Sequence, residues 1–303
     1  MLKYAAMTAA LKGFSATPAT RKGYRKLGNT VETRRRLRDK DVPKYYMEEV
    51  PKFAQFLKRY GELAAGERIL ELGTGYAHWQ SVVIRLFADV EVTMFDIVDD
   101  RLWRVFLVYM AQLRRELPHL NFPADRLSEA ERLLDSLSAA KSFDEVYDLL
   151  GAQYVLEADG DLSALQSDSY ALIVSLSVLE HVHRDIVPKF MSETRRLLQP
   201  GGYVVHQFDL SDHYWYFDTA MSRKNYLRFS PETWERWLSS RVMYINRIQR
   251  PEWDEIFNAA GLEIVDCEVV RESIGGIPIH PSYQLDADAA QAMSIRYLLR
   301  SRD

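Results

Sequence analysis

An α/β fold built on a mostly parallel sheet with helices on both faces is the architecture that this 303-residue chain predicts. Three features carry the expectation. From Arg68 onward, short β-prone apolar runs alternate with stretches of helical periodicity. The first of these runs, Ile69-Leu70-Glu71-Leu72, leads straight into a glycine pair, Gly73 and Gly75, which lets a chain turn sharply from strand to helix. The preceding 65 residues read as helix alone, so they stand apart as an N-terminal cap or lid, with residues 66–303 as the main domain.

Taken in order, residues 1–65 predict helices broken at Gly13, Pro18, Gly28 and Pro43. Strands are then expected at 69–72, 91–95, 153–157, 170–176 and 203–208, and helices at about 77–88 and at 185–198. Residues 99–150 exceed what one crossover needs. Leu102, Val105, Phe106 and Tyr109, then Leu127, Leu133, Leu134 and Leu137, recur at helical spacing, which predicts an inserted helical subdomain. Gln199-Pro200-Gly201-Gly202 reads as a tight turn, and Ser230-Pro231 as a helix start with Ser as the cap. Gly261 should end a helix over 251–260, and residues 293–299 read as a last strand.

Composition narrows the class. With 47% hydrophobic residues the chain can bury a core of ordinary size, and no apolar run approaches the roughly 18 residues of a membrane span. The N-terminus lacks a compact apolar core with a small-residue cleavage site, so secretion is not expected. The single cysteine, Cys267, cannot form an internal disulfide and lies in the strand-like run 262–270. Strand packing in a reducing cytoplasm is its expected setting.

The net charge of −4 hides an asymmetry: residues 1–44 carry twelve Lys and Arg against Glu32, Asp39 and Asp41, which is +9 and leaves −13 on the rest. Such an arm suits a solvated helical face on the chain's own acidic body, peripheral contact with anionic lipid headgroups, contact with a phosphate-bearing substrate, or docking on a partner. No nucleic-acid module accompanies it, so nucleic acid is not an expected partner. The oligomeric state is not legible.

The glycine turn discriminates between two cofactor classes. A dinucleotide site needs G-x-G-x-x-G/A, with a small residue at the last position. His78 stands there, which argues against a nicotinamide dehydrogenase; the small residue comes one earlier, giving acid-x-Gly-x-Gly-x-Ala from Glu71 to Ala77. Asp96 ends the next strand, 23 residues after Gly73, where a carboxylate can accept both hydrogen bonds of a ribose diol.

This pattern resembles motif I of the class I S-adenosylmethionine-dependent methyltransferases, with alanine in place of the usual third glycine. The resemblance runs over about residues 67–210. It implies a Rossmann-like, seven-stranded, mostly parallel sheet and S-adenosylmethionine as the cofactor. It also implies a cofactor site of Glu71, Gly73, Thr74, Gly75, Asp96, Ile97, Asp159, Gly160 and Ser177. In the family the acid matching Asp96 holds the ribose, Ile97 would lie against the adenine, and the acid of Ala158-Asp159-Gly160 stands near the adenine amino group. Residues 171–182, with Glu180-His181, look like the family's fourth strand and following loop, and Leu198-Gln199-Pro200-Gly201-Gly202 like the turn before its fifth.

Methyl transfer is an in-line displacement that chiefly needs alignment, but an alcohol acceptor must also lose a proton, whereas an amine with a free lone pair need not. Candidate bases follow two strands: His181 after the fourth, and His206, Asp209, Asp212 and His213 at the end of the fifth. His181 and His213 are the favoured bases, with Asp209 or Asp212 orienting an imidazole. His206, Asp209, Asp212 and His213 also carry donor types that suit a divalent metal, though their packing into eight residues opposes ligation by all four, and no metal ligand is assigned.

Residues 209–260 form an acceptor-side insertion dense in aromatics. Tyr214, Trp215, Asp218, Asn225 and Arg228 are the candidate substrate contacts, with rings to stack on a sugar face and polar groups for its hydroxyls. The order Asp-His-Tyr, Phe-Asp, Asn-x-Leu-Arg-Phe-Ser and a tryptophan resembles bacterial methyltransferases of saccharide and surface-glycan pathways, which implies O-methylation of a sugar hydroxyl in a glycan or glycosylated small molecule. The residues leave two other readings open: methylation of a natural-product phenol, amine or carboxylate, and a non-catalytic binding protein that docks through its basic arm.

Overall fold

The structure, a computed structural model, describes residues 2–302. Four helices come first: α1 (Leu2–Ser15), α2 (Pro18–Asp39), the short α3 (Lys44–Met47) and α4 (Glu49–Tyr60). Next come β1 (Arg68–Leu72), α5 (Trp79–Phe87), β2 (Glu91–Asp96), α6 (Trp103–Glu116), α7 (Leu127–Ala139), α8 (Phe143–Leu150), β3 (Ala152–Leu156) and β4 (Tyr170–Leu176). The chain ends with α9 (Val187–Leu197), β5 (Leu198–Asp209), α10 (Pro231–Thr233), α11 (Arg250–Ala259), β6 (Leu262–Arg271), α12 (Ala287–Gln291) and β7 (Ala292–Ser301). The strands form one seven-stranded sheet in the order β3-β2-β1-β4-β5-β7-β6. The pairs β1–β2, β1–β4 and β2–β3 are parallel and β6–β7 is antiparallel. This is the Rossmann-like sheet that the sequence predicts.

The chain packs as two compact units, one of Asn29–Leu176 with Arg196–Tyr203, the other of Met1–Gly28, Ser177–Arg195 and Val204–Asp303. In the first unit β1, β2 and β4 are buried almost throughout, as strands covered on both faces must be, and they read accordingly as near-continuous apolar runs. β3 pairs only with β2, and its residues are correspondingly half-exposed. Register sets Leu72 beside Phe95 and Ser175, and Asp96 beside Leu156, so the strand ends that follow those residues share one edge. The stretch 99–150 contributes α6, α7 and α8; Ser142 caps α8 by accepting from the Glu145 N–H, with acids in its first turn and Gly151 left-handed at its end.

In the second unit, Tyr4 and Leu11 of α1 join Tyr214, Tyr226, Leu227, Trp234 and Ile245 in a buried cluster. A further apolar layer lies between α11 and strands β5 and β7, where Trp253 meets Phe208 of β5 and Phe257 meets Tyr297 of β7. Cys267 is a free, half-buried thiol on β6 opposite Tyr297, and burial pushes its pKa up, the setting of a packing residue rather than a nucleophile.

Several boundaries differ from the sequence reading. Gly13 and Gly28 do not break helices: α1 and α2 run through them, since an isolated glycine only weakens a helix. The break falls at Thr17-Pro18, where Thr17 and Thr20 cap reciprocally, each backbone N–H meeting the other's hydroxyl, at 3.0 and 3.1 Å. Residues 1–28 and 29–65 group with different units, so the expected cap divides within α2. Residues 199–202 belong to β5 rather than to a separate turn, with Gly201 at φ 77°. A side chain at Gly202 would sit 2.9 Å from the Ala171 carbonyl oxygen, which explains the second glycine. Part of the basic arm's charge is spent locally: Arg36 is buried and pairs with Glu32 at 2.7 Å and Asp41 at 3.0 Å. Among the described residues no helix is long and apolar enough to cross a membrane.

Candidate functional site

The glycine turn is built by groups that brace it from both sides. Gly73 and Gly75 adopt left-handed φ values of 72° and 59°, and the Gly73 N–H donates to the Phe95 carbonyl at 2.8 Å. A side chain at Gly75 would meet nothing within 4 Å, so the backbone faces open space there. Asp96 is half-buried at the end of β2; its Oδ2 accepts from the Gly75 N–H at 3.1 Å and its Oδ1 from the Ile97 N–H at 2.8 Å. Burial raises its pKa against these stabilising hydrogen bonds. Ile97 stands exposed beside it, and Gly160, left-handed at φ 72°, lies next to it, where an added carbon would be in ordinary contact with the Ile97 side chain at 3.5 Å. Asp159 is exposed and accepts from the Asp161 N–H at 3.2 Å.

Two residues of the motif turn inward instead. Glu71 is buried and its carboxylate accepts from the Gln80 N–H, the Ser81 N–H and the Ser81 hydroxyl, so it caps the start of α5 and shapes the turn from behind. Desolvation lifts its pKa to about 7 despite those donors. Thr74 is also buried, with its hydroxyl 2.8 Å from His78 Nδ1. His78 itself is left-handed at φ 50°, fully buried, and 3.1 Å from the Tyr147 hydroxyl through Nε2. It thus pins the turn to the inserted helix α8, a role its sequence position does not announce.

The histidines lie in the other unit. Ser177 is exposed at φ 57° and donates its N–H to the Gln207 carbonyl at 2.8 Å. The turn Leu179–His181 is clamped by buried Asn246, whose side-chain amide donates to the carbonyls of Leu179 at 2.7 Å and Val182 at 3.1 Å, while its N–H donates to the Glu180 carbonyl at 2.8 Å. His181 and His213 stand 5.1 Å apart between ring centres. His213 Nε2 is buried, makes no hydrogen bond, and lies 3.7 Å from Asp209 Oδ2. Burial, then the neighbouring His181, pulls the His213 pKa down to about 4 against the opposing pull of Asp209. Asp209 is held by the Ser211 N–H and hydroxyl, at 2.8 and 2.7 Å, and by the Tyr216 hydroxyl at 2.9 Å.

Two of the expected catalytic residues do not fit that role. His206 is fully buried in the core, stacked on Phe257, because its place in β5 turns it away from Asp209. Asp212 is likewise buried and accepts from the Tyr4 hydroxyl at 3.1 Å and the Tyr214 N–H at 3.0 Å; it anchors α1 and orients no imidazole. The four-residue metal grouping of His206, Asp209, Asp212 and His213 therefore does not form.

Among the expected acceptor contacts, Trp215, Asn225 and Arg228 line a cavity of about 580 Å³ together with Arg223 and Glu272. Arg223 lies over the Trp215 ring at 5.1 Å and donates to Glu272 at 2.6 Å. Asp218 lies outside the lining. Tyr214 is core: it packs on Tyr4 at 4.6 Å and donates to the Leu238 carbonyl at 2.7 Å. Arg223 and Glu272 escaped the sequence reading because they are 49 residues apart and neither sits in a recognisable motif.

The family model described as "Methyltransferase domain" matches residues 39–266, more than half of the chain. No curated protein matches. Solved structures that are similar include a putative methyltransferase from Bacillus halodurans, with 13% identity, a TM-score of 0.46, and 84% of this chain and 99% of that one covered. A TehB-like S-adenosylmethionine-dependent methyltransferase from Corynebacterium glutamicum gives 14%, 0.44, 94% and 100%. Phosphoethanolamine N-methyltransferase 2 from Haemonchus contortus, in complex with S-adenosyl-L-methionine, gives 15%, 0.46 and 83%, and the match spans 52% of its chain. The chain belongs to the methyltransferase-domain family.

Proposed function

We propose that this methyltransferase acts on oxygen, and that its acceptor is a sugar hydroxyl in a glycan or a glycosylated small molecule. The observation that carries the reading is His213: a buried imidazole nitrogen with no hydrogen bond of its own, beside Asp209 and His181. An amine that arrives with a free lone pair needs no such group, whereas a hydroxyl must be relieved of its proton as the new bond forms. With its pKa near 4, the imidazole is neutral at physiological pH and has a lone pair to offer.

The cofactor residues support the donor half. S-adenosylmethionine supplies a methyl group on a positively charged sulfur. Asp96 is braced by the Gly75 and Ile97 N–H groups, which leaves lone pairs for a ribose diol, and Ile97 offers an exposed apolar face suited to an adenine. The bare backbone at Gly75 permits close approach. Glu71, Thr74 and His78 act behind the turn by holding its shape.

For the acceptor, the cavity of Trp215, Asn225, Arg228 and Glu272 combines an aromatic ring with donors and a carboxylate, the mixture that a polyhydroxylated ring calls for. The test is transfer of labelled methyl from S-adenosylmethionine to a panel of saccharides, phenols, amines and carboxylates, with the product located by NMR. Transfer to a sugar oxygen is the expected result. Transfer only to amines or carboxylates overturns the reading.

A further inference from the structure

The segment around His213 holds a second buried group without a hydrogen-bond partner. Glu180 is buried after β4; its Oε1 accepts from the Asp209 N–H at 3.3 Å, but its Oε2 makes no hydrogen bond, and neither does His213 Nε2. Two unpartnered polar atoms in one buried place are costly unless something else satisfies them. His181 completes the set: one ligand atom each from Glu180, His181 and His213 lies within 4.8 Å of the others. The His181 ring is also oriented as a ligand should be. Its Nδ1 lies 2.8 Å from the Tyr244 carbonyl, which can only accept, so Nδ1 carries the hydrogen and the lone pair is on Nε2. Two imidazoles and one carboxylate, on a turn clamped by three hydrogen bonds from Asn246, are a donor set for a borderline divalent ion with an open coordination position.

We propose that Glu180, His181 and His213 bind a divalent transition-metal ion, zinc by its donor preferences, and that the ion's open position takes the acceptor hydroxyl. The second clause rests on the O-methylation reading and gives His213 the part of ligand in place of base, the ion rather than the imidazole making the hydroxyl easier to deprotonate; the first clause does not rest on that reading. Tetrahedral ligands at about 2.1 Å from zinc stand about 3.4 Å apart, so modest side-chain rotation closes the site. Two neutral imidazoles and one carboxylate leave one positive charge on the ion, which an alkoxide neutralises. In the reaction the acceptor O–H bond breaks and its proton passes to solvent. The oxygen pair then forms the new C–O bond as the C–S bond breaks, with that electron pair leaving on sulfur. The ion lowers the cost of the first event.

Calorimetric titration of the chelator-treated full-length protein with Zn²⁺, and visible absorption with Co²⁺ as the spectroscopic substitute, tests the site without reference to any acceptor. Expected are one ion per chain and an absorption band of a low-symmetry site, with His213→Ala and Glu180→Gln each weakening binding at least tenfold. Both variants should keep affinity for S-adenosylhomocysteine, which certifies their fold. His119→Ala, an exposed histidine far along the sequence, should bind as the parent does. No uptake by the parent, or uptake unchanged in both ligand variants, overturns the proposal, as does uptake lost in His119→Ala. Sugar methylation that persists in the chelated, metal-free protein refutes the ion's catalytic role alone, while metal uptake with no sugar methylated refutes only the acceptor reading.

Discussion

Asp96 and Gly75 are joined by a 3.1 Å hydrogen bond from the glycine N–H to the carboxylate, which ties the end of one strand to the turn after its neighbour. The same carboxylate also accepts from Ile97 and Val98, so one side chain sets the local geometry of both segments.

Asp96→Ala should therefore weaken cofactor binding beyond the loss of one contact. Charge-assisted hydrogen bonds contribute roughly 1.5–3 kcal/mol, so the Kd for S-adenosylhomocysteine should rise about 10- to 100-fold. Titration calorimetry checks this, with melting temperature measured alongside. A change under threefold would mean that Asp96 only organises the turn.

Gly75→Val separates backbone strain from ligand approach. The left-handed conformation costs an L-residue roughly 1–2 kcal/mol, and no atom lies within 4 Å of the added carbon, so stability should fall by only about that amount. Cofactor affinity should fall further, because the side chain projects into the space the backbone leaves open. Equal losses in the two measurements would place the cofactor elsewhere.

Much of this arrangement is legible in the sequence because it is local. The run from Glu71 to Ala77 shows as strand, turn and small residue, and Asp96 falls at a strand end that hydropathy alone marks. Tertiary burial decided the rest. His206, Asp212 and Tyr214 look the same in the sequence as His213, Asp209 and Trp215, yet strand alternation and the docking of α1 put the first three in the core. The grouping of Glu180 with His213 spans a strand and a helix, and no short-range pattern reveals it.

Acid stability should report the buried histidines. Burial depresses both His78 and His206 to about 3, below the ordinary value of 6.5, so each is neutral in the folded chain. Their contribution is fully present above pH 6.5 and is lost as pH falls toward 3, since the unfolded chain binds the extra protons. His206→Gln should flatten the fall in unfolding free energy between pH 6 and 4 by up to about 1.4 kcal/mol per pH unit. Denaturant titrations across that range measure it; an unchanged slope would show that His206 is protonated in the fold.

Asn246 tests whether the clamp on Glu180-His181 matters to turnover or only to folding. It is buried and donates three hydrogen bonds to that turn, and its own Oδ1 accepts from the Ile248 N–H at 3.1 Å. Asn246→Ala keeps the backbone donor and loses the amide, leaving carbonyls of Leu179 and Val182 short of a partner, at a cost of about 1–3 kcal/mol. If the clamp served the fold alone, the folded fraction would turn over at the parental rate. If it positions the histidine turn, kcat should fall at least tenfold in protein shown to be folded by its unchanged affinity for S-adenosylhomocysteine. Asn246→Asp retains the shape but not the amide donors, so it should resemble the alanine variant in turnover. Parental kcat in both variants would remove Asn246 from the machinery and leave it as a fold residue.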